Sequence, residues 1–490
     1  MSGTVYRLVR NSSAVSAGQM GSRLISVVYG IVLSRYLGAA GFGNIGAAIA
    51  ITALAYVFVD FGLAPLMIRD VARDHDVVDR YASNVTGLKL LLMVLVNVGL
   101  AVFLGVSTYS AELKVIVWIY SLNCALSAIV GVGEAGLQGL EEMHMPALLQ
   151  LGRNSLNVAL SLTAIAMHAG IVVIVWISVV ATAVQLVAMG VVAARNSVRA
   201  SPNLVKLPVA LGLFKESLPF AAFVLISTLY GQTAVLMVSL LMSMRETGLY
   251  AAAVNVSGLV GMLSGVFAQA VFPVFSRYHV GRPEMLRLSY EKMFKYMVIL
   301  GFGLSTAAAL AAKDALRLVL GAEYVPAAAA TIVLVLSQAL AANYINGALL
   351  NTTGRQRLFT ISYAVAVVIQ VGMSWWLIPR YGAVGAALGF LIPAALGYVY
   401  YTVLCHSFLK LPLPWLLHVK CLLAVGLMVL SVLGTARLGL GMLAGAILVG
   451  PLIYGATVLA LHTLSRDDRA LALEVLRPIW ARIAAARGQQ

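Results

Sequence analysis

Asn351–Phe390 reads NTTGRQRLFTISYAVAVVIQVGMSWWLIPRYGAVGAALGF. A basic turn, Arg355-Gln356-Arg357, leads into an apolar run from Phe359 to Ile378. A corner follows at Pro379-Arg380-Tyr381-Gly382, and the chain then turns apolar again. About 20 apolar residues cover a hydrocarbon core of roughly 30 Å. Proline cannot continue a helix interior, and glycine permits a sharp reversal. The stretch therefore predicts two membrane-spanning helices joined by a tight turn. Gly382, Gly385, Ala386 and Gly389 open the second helix with small residues, the spacing that lets helices approach closely in lipid.

The whole chain repeats this character. Of its 490 residues 61% are hydrophobic and 10% charged, and the mean hydropathy is +0.95. A soluble domain carries about 25% charged residues, so these charges cannot cover a soluble surface. The fold class is all-α, a polytopic integral membrane protein. The net charge of +15 fits a positive-inside bias with an anionic substrate as a second contributor. There is no aromatic-plus-basic motif for nucleic acid. Cys124, Cys405 and Cys421 lie in or beside apolar runs without metal spacing and read as buried thiols. Residues 1–11 are polar and basic and lead into a full-length span, unlike a cleaved signal.

Apolar runs bounded by turns or charges give about 14 spans: 12–37, 41–67, 84–107, 112–138, 145–168, 170–194, 215–243, 247–276, 293–312, 326–352, 357–379, 382–407, 413–436 and 439–463. An even count puts both termini on one side. With the termini cytoplasmic, the inner segments hold 23 of the 33 Lys and Arg and the outer turns 7, the sign the rule requires. The outer turns are short and leave no room for an extracellular catalytic domain. Ser34–Ile51 parallels Ser239–Val256, and Gly136–Gln150 parallels Leu349–Tyr363. Such a repeat divides the chain into an N-terminal lobe (1–197, spans 1–6), a cytoplasmic linker (198–213), a C-terminal lobe (214–408, spans 7–12), an appended pair (409–463) and a cytoplasmic tail (464–490). In the tail, Leu471, Val475, Leu476, Ile479, Trp480 and Ile483 share a helical face, as in a helix lying on the membrane surface. A plain soluble tail is the alternative.

Charges inside spans cost about 2.5–3.5 kcal/mol each on insertion scales and so mark candidate sites. Arg23 lies mid-span 1 with no local acid, which favours a wet, anion-attracting environment. Glu134 and Arg153 lie in spans 4 and 5, each nine or ten residues from the intervening turn at Met143 and His144. An antiparallel hairpin would place them at one depth, as an anion-binding site or as a structural ion pair. Lys89 reads as a snorkelling lysine and a weaker binding candidate. Asp60 is a candidate proton or cation site, or a cap or inner gate near Arg69. Gly131, Gly133 and Gly136 spell G-x-G-x-x-G, but without a preceding strand they do not make a dinucleotide site. No P-loop, metal cluster or Ser-His-acid arrangement is present. The reading is therefore of a non-enzyme with no catalytic residue, metal or cofactor.

Several segments together resemble the polysaccharide-transporter branch of the MOP (multidrug/oligosaccharidyl-lipid/polysaccharide) superfamily, whose members include Wzx-type oligosaccharide-lipid flippases. They are SRYLGAAGFGNIG, FVDFGLAPLMIRDVAR (Phe58–Arg73), GLQGLEEM, TGLYAAAV (Thr247–Val254), GRQRL and LIPRYGAVGAAL. The resemblance implies two six-helix lobes in a V around a central cavity, with two extra C-terminal helices. It implies a polyprenyl-(pyro)phosphate-linked oligosaccharide as substrate, moved from the inner to the outer leaflet of the cytoplasmic membrane. Arg23 and Arg153 are the positions that fit phosphate-contacting cations, with Glu134 and Lys89 beside them. Membrane lipids and glycan polymerase or assembly proteins are the implied partners, and a monomer the implied functional unit. Relatives often carry an acid midway along span 7, where this chain has Tyr230-Gly231-Gln232-Thr233-Ala234. That puts ion coupling through span 7 in doubt. A lipid II flippase, a cation-coupled multidrug exporter and a membrane polysaccharide polymerase or ligase are the competing readings.

Overall fold

The structure is a computed structural model that describes residues 2–196, 198–279, 281–439, 441–465 and 468. For residues 2–20, 22–24, 263, 268–270, 272 and 273 it describes the backbone only. The surface helix expected from the tail falls outside the described residues. Among the described residues the regular elements are all helical. They are α1 (Ser2–Asp60), α2 (Leu63–Arg73), α3 (Val78–Val106), α4 (Ala111–Gly139), α5 (His144–Ala166), α6 (Ile171–Arg195), α7 (Leu207–Leu241) and α8 (Met244–His279). There follow α9 (Pro283–Val319), α10 (Ala328–Ser337), α11 (Asn343–Thr352), α12 (Gln356–Phe408), α13 (Trp415–Arg437), α14 (Met442–Ala444) and α15 (Gly450–Ala460).

Eleven helical stretches among the described residues are long and apolar enough to cross a membrane. Two of them are double. At about 1.5 Å per residue the 59 residues of α1 and the 53 of α12 would each run roughly 80–90 Å, far beyond a bilayer core. Each is broken by a glycine outside helical geometry: Gly38 (φ 67°, ψ 179°) in α1 and Gly382 (φ 53°, ψ −131°) in α12. Helical geometry continues through Pro379, so the corner is made by Gly382, one of the few residue types free to adopt positive φ. Small residues then do what the spacing implies. A Cβ on Gly385 would lie 2.2 Å from the Leu377 carbonyl oxygen, and one on Gly389 2.5 Å from Ser374 Oγ. α5 is also long enough to cross but carries Arg153, Asn154 and Asn157 within it. Span 10 is discontinuous, with a 3₁₀ turn at Gln338–Leu340 between α10 and α11.

The chain forms two compact units. One comprises Met1–Leu259, Leu316–Thr331 and Gln356–Pro393, and the other Val260–Ala315, Ile332–Arg355 and Ala394–Gln490. In the first, the second half of α1 crosses the start of α8 with main chains in contact. A Cβ on Gly43 would lie 1.8 Å from the Met244 carbonyl oxygen, and one on Gly248 1.8 Å from that of Ala39. A Cβ on Gly46 would lie 3.2 Å from that of Ala251. Ala39 and Met244, Gly43 and Gly248, and Gly46 and Ala251 are equivalent positions of the Ser34–Ile51 and Ser239–Val256 repeat. The crossing is therefore reciprocal, as around a local two-fold axis. Carboxylates cap both helix breaks. Glu323 Oε1 accepts from the Ala39 N–H at 2.9 Å, and Glu246 Oε2 from the Ala383 N–H at 3.4 Å. Each puts negative charge at the start of a helix, the favourable end for it.

The G-x-G-x-x-G of α4 is a packing surface. Cβ atoms at Gly133, Gly136 and Gly139 would lie 2.7 Å from Met189, 2.8 Å from Val198 and 2.6 Å from Val71. The glycines thus let α6, the linker and α2 close on α4, and Met67, Val71, Met189 and Val198 share one apolar core there. The linker after α6 is docked rather than free. Asn84 on α3 donates to the Leu204 carbonyl (3.0 Å) and accepts from the Lys206 N–H (2.8 Å). Ser83 accepts from Ser201 N–H and Asp79 from Arg199 N–H.

In the second unit Tyr290 donates to Asn346 Oδ1 at 2.8 Å, and Asn346 donates to Thr402 Oγ1 at 3.3 Å. The Tyr454 ring fills the gap left by Gly303, and its hydroxyl donates to the Ile299 carbonyl at 2.7 Å. That contact fastens α15, and with it the C-terminal pair, to α9.

Gly43→Ala and Gly248→Ala should each destabilise the protein by at least the ~1–3 kcal/mol typical of overpacking, because the opposing atom is main chain and cannot rotate away. Gly99→Ala, with no atom within 4 Å of its added Cβ, should be neutral or slightly stabilising. Thermal unfolding in detergent separates the three. Asn84→Ala removes the bonds to the Lys206 N–H and the Leu204 carbonyl, at about 0.5–1.5 kcal/mol each because both residues are exposed to water. Amide hydrogen exchange across 198–206 should rise in that variant while exchange in α4 stays protected.

Candidate functional site

All five charged residues picked out from the sequence fall in the first unit, four of them with described side chains. Asp60 is the last residue of α1. The chain leaves it through Phe61 (φ 42°) and Gly62 (φ 72°), both in the left-handed region. A Cβ on Gly62 would lie 2.4 Å from the Ala221 amide nitrogen, so α7 holds this exit in place. Phe61 stacks on Phe214 of the same helix, with ring centroids 4.7 Å apart. The backbone thus fixes where the Asp60 carboxylate points.

It points at Lys89. The ammonium donates to Asp60 Oδ1 at 2.8 Å and to the Ala128 carbonyl of α4 at 3.2 Å. Lys89 is 1% exposed. This corrects the snorkelling reading: a carboxylate and a carbonyl lie within reach, so the ammonium stays buried instead of extending to water. Arg69 does not partner Asp60. It pairs with Asp70 (2.6 Å) and more loosely with Glu216 (3.9 Å), while Tyr81 donates to the same Asp70 carboxylate at 3.0 Å.

Glu134 and Arg153 do not form the ion pair that counting along the hairpin suggests. Glu134 Oε1 accepts from Gln185 Nε2 of α6 at 3.2 Å. Arg153 Nη2 donates to the neighbouring Asn154 at 3.1 Å, and its buried Nε has no partner. Two physical reasons separate them. α4 ends at Gly139, so residues 140–143 form a turn and add no helical rise. Glu134 then sits about 8 Å from its helix end and Arg153 about 14 Å from its own. Further, α4 and α5 each pack on α1 and α6 and barely touch one another. The two charges act on each other through space only. Arg23 lies in α1, and its side chain is outside the described residues.

Two polar clusters escaped the sequence reading. On α5, Arg153, Asn157 and Ser161 recur at a four-residue spacing, which places them on one helix face. Ser161 hydrogen-bonds the Tyr29 hydroxyl of α1 at 3.2 Å, and Asn157 Oδ1 is buried without a partner. The spacing was a signal available in the sequence. The second cluster links α1, α3 and α4 in a closed ring. Asn97 donates to the Tyr56 hydroxyl (2.9 Å), Tyr56 to Ser121 (3.0 Å), and Ser121 to Asn97 Oδ1 (2.6 Å). Every member is satisfied, which suits a packed membrane interior where water is absent. No sequence periodicity marks it, because its three residues come from three helices.

The described residues hold no group of three or more His, Cys, Asp and Glu placed to bind a metal ion. What they present is a charge-balanced pair (Asp60–Lys89), an acid on an amide (Glu134–Gln185), and a guanidinium with donors to spare (Arg153).

Comparison with known proteins supplies the context. The family model described as "Polysaccharide biosynthesis protein" matches residues 8–279. No curated protein matches the chain. Among solved structures, the lipid II flippase MurJ in an inward closed conformation is 14% identical, covers 91% of this chain and 98% of its own, and superposes with a TM-score of 0.76. An inward-facing MATE-family multidrug resistance transporter of the MOP superfamily is 16% identical, over 79% of this chain and 95% of its own, at a TM-score of 0.66. A MOP superfamily transporter from Pyrococcus furiosus is 18% identical, over 82% and 96%, at 0.55. At these identities the structures show a shared transporter fold. The family match spans more than half of the sequence, and the chain belongs to the polysaccharide biosynthesis protein family.

Proposed function

We propose that this protein is a flippase that carries a polyprenyl-(pyro)phosphate-linked oligosaccharide from the inner to the outer leaflet of the cytoplasmic membrane by alternating access. The observation that carries the reading is Arg153. A permanently charged guanidinium sits half-buried within a membrane helix, bonded among the described residues to one neutral amide and with its Nε unpartnered. A diphosphate crossing the membrane needs fixed positive charge along its path. A guanidinium meets phosphate through two parallel hydrogen bonds, which lysine cannot reproduce. Arg23, on α1, is the second cation assigned to this role. Glu134 sets the field around Arg153, and the Asp60–Lys89 pair lies behind them as a structural or gating element.

On this reading the lobes are 1–197 and 214–408, joined by the linker at 198–213, with 409–463 appended and 464–490 cytoplasmic. Both termini face the cytoplasm. Partners are the lipid-linked glycan, surrounding lipids and glycan assembly proteins, and the monomer is the working unit. A second reading has a specific support: the MurJ structure covers more of this chain than the MATE structure does. MurJ is a lipid II flippase, and lipid II flipping would use the same diphosphate chemistry.

Arg153→Ala should cut surface glycan by roughly tenfold or more, taking a charge-assisted hydrogen bond at about 1.5–3 kcal/mol. Arg153→Lys should recover only part of it. Lipid-linked oligosaccharide should accumulate in the inner leaflet, and the identity of the accumulated lipid separates the two substrates. Arg23→Ala should behave alike. Normal surface glycan in both alanine variants at normal expression would remove the cationic-path mechanism.

A further inference from the structure

The Asp60–Lys89 pair has more structure than a fastening between two helices requires. Its ammonium is bound by one carboxylate oxygen and one main-chain carbonyl, the latter from the body of α4 rather than from a helix end. Asp60 is itself the last residue of α1, the end at which the helix dipole is negative. Gly131, one turn beyond Ala128 less one residue, leaves room on the remaining side: a Cβ there would lie 3.8 Å from Lys89 Nζ and would meet no other atom within 4 Å. A carboxylate oxygen and a helix carbonyl oxygen form the surround of the ammonium, the ligand chemistry that hard cations take. Lysine presents its ammonium as a compact point charge on a flexible stem, and it reaches this surround with 1% of its surface exposed.

We propose that Asp60 and the Ala128 carbonyl form a monovalent cation site of the sodium class, and that in this chain the site is permanently filled by the tethered ammonium of Lys89. A tethered cation cannot be exchanged between the two sides of a membrane. This site therefore holds the charge that Asp60 needs without conveying a sodium gradient. Glu134, whose carboxylate feels the Lys89 charge through space, keeps its own partner in Gln185 and is not a ligand. The inference goes beyond the flippase reading and is independent of which lipid-linked glycan is carried.

Removing the ammonium should reopen the site. Binding of radiolabelled sodium to the purified full-length protein in detergent tests this, with thermal unfolding followed in sodium chloride and in choline chloride. Wild type should bind no sodium at Asp60 and should unfold at the same temperature in both salts. Lys89→Ala should bind sodium saturably and be stabilised by sodium over choline. The double variant Asp60→Asn/Lys89→Ala should lose both effects. Lys89→Ser, whose hydroxyl offers a further oxygen ligand, is made alongside. The proposal is overturned if folded Lys89→Ala and Lys89→Ser bind no sodium, or if wild type binds sodium through Asp60. It is equally overturned if neither single variant folds in sodium, since a free ion then cannot replace the ammonium. None of these readouts measures export, so a failure here leaves the flippase reading standing, and the reverse.

Discussion

A carbonyl oxygen occupies the space that a side chain would need at both Gly43 and Gly248. In lipid, hydrocarbon surrounds every helix and apolar burial gives little reason for one helix to prefer another. Close packing and satisfied polar groups must supply the preference instead. At this crossing the main chains meet without intervening side chains, and the same residues do so from each copy of the repeat. Its neighbours hold it in register. Glu323 caps the Gly38 break, and the Tyr324 hydroxyl donates to the Ser34 carbonyl at 2.9 Å. Phe42, Leu249, Leu316 and Leu320 then close an apolar core around it. The fold of the first unit thus depends on a few positions where anything larger than a hydrogen atom is excluded.

Much of this was legible in the sequence because it is written in hydropathy and in glycine. The hairpin at Asn351–Phe390 is present, with its reversal at Gly382. The fourteen apolar runs correspond to helices, two of which pass straight from one run into the next through a single glycine. The repeat that pointed to equivalent outer turns proved to name residues that touch. What periodicity could not give was adjacency in three dimensions. Counting along the chain implies that consecutive spans pack as hairpins, but α4 and α5 each pack on α1 and α6 instead of on one another. Counting nine residues from a turn also treats turn residues as helix. That error moved Glu134 about 6 Å along its axis relative to Arg153.

Lys89 illustrates a different limit. Snorkelling is the usual outcome for a lysine with only hydrocarbon around it, and sequence shows only the hydrocarbon. The outcome changes when a carboxylate from another helix lies 2.8 Å away. That carboxylate is where it is because Phe61 and Gly62 end α1 abruptly and because α7 presses against Gly62. Whether a buried lysine reaches outward or stays is thus decided by a backbone turn far away in sequence. Asn157 and Ser161 were the opposite case. Their four-residue spacing from Arg153 was visible, but uncharged polar residues carry little weight in a search for charges.

Charge bookkeeping within the first unit then bears on function. Placing a charge at mid-membrane depth costs a few kcal/mol, and a charge left uncompensated after its partner is removed costs about 3–5 kcal/mol. Asp60 and Lys89 cancel. Glu134 is held by a neutral amide and lies in the field of Lys89 and Arg153. Among the described residues Arg153 meets one amide oxygen with five possible donor hydrogens. The residual sign on this polar face of α5 is positive, and Asn157 adds a buried acceptor with no donor assigned to it. A guanidinium with free donors beside the unsatisfied Asn157 amide oxygen is a surface short of oxygen-rich, anionic, hydrogen-bonding material. A saccharide carried on a phosphate provides both halves of that chemistry, hydroxyl donors for the amides and phosphate oxygens for the guanidinium, whereas an organic cation would meet Arg153 with the wrong sign.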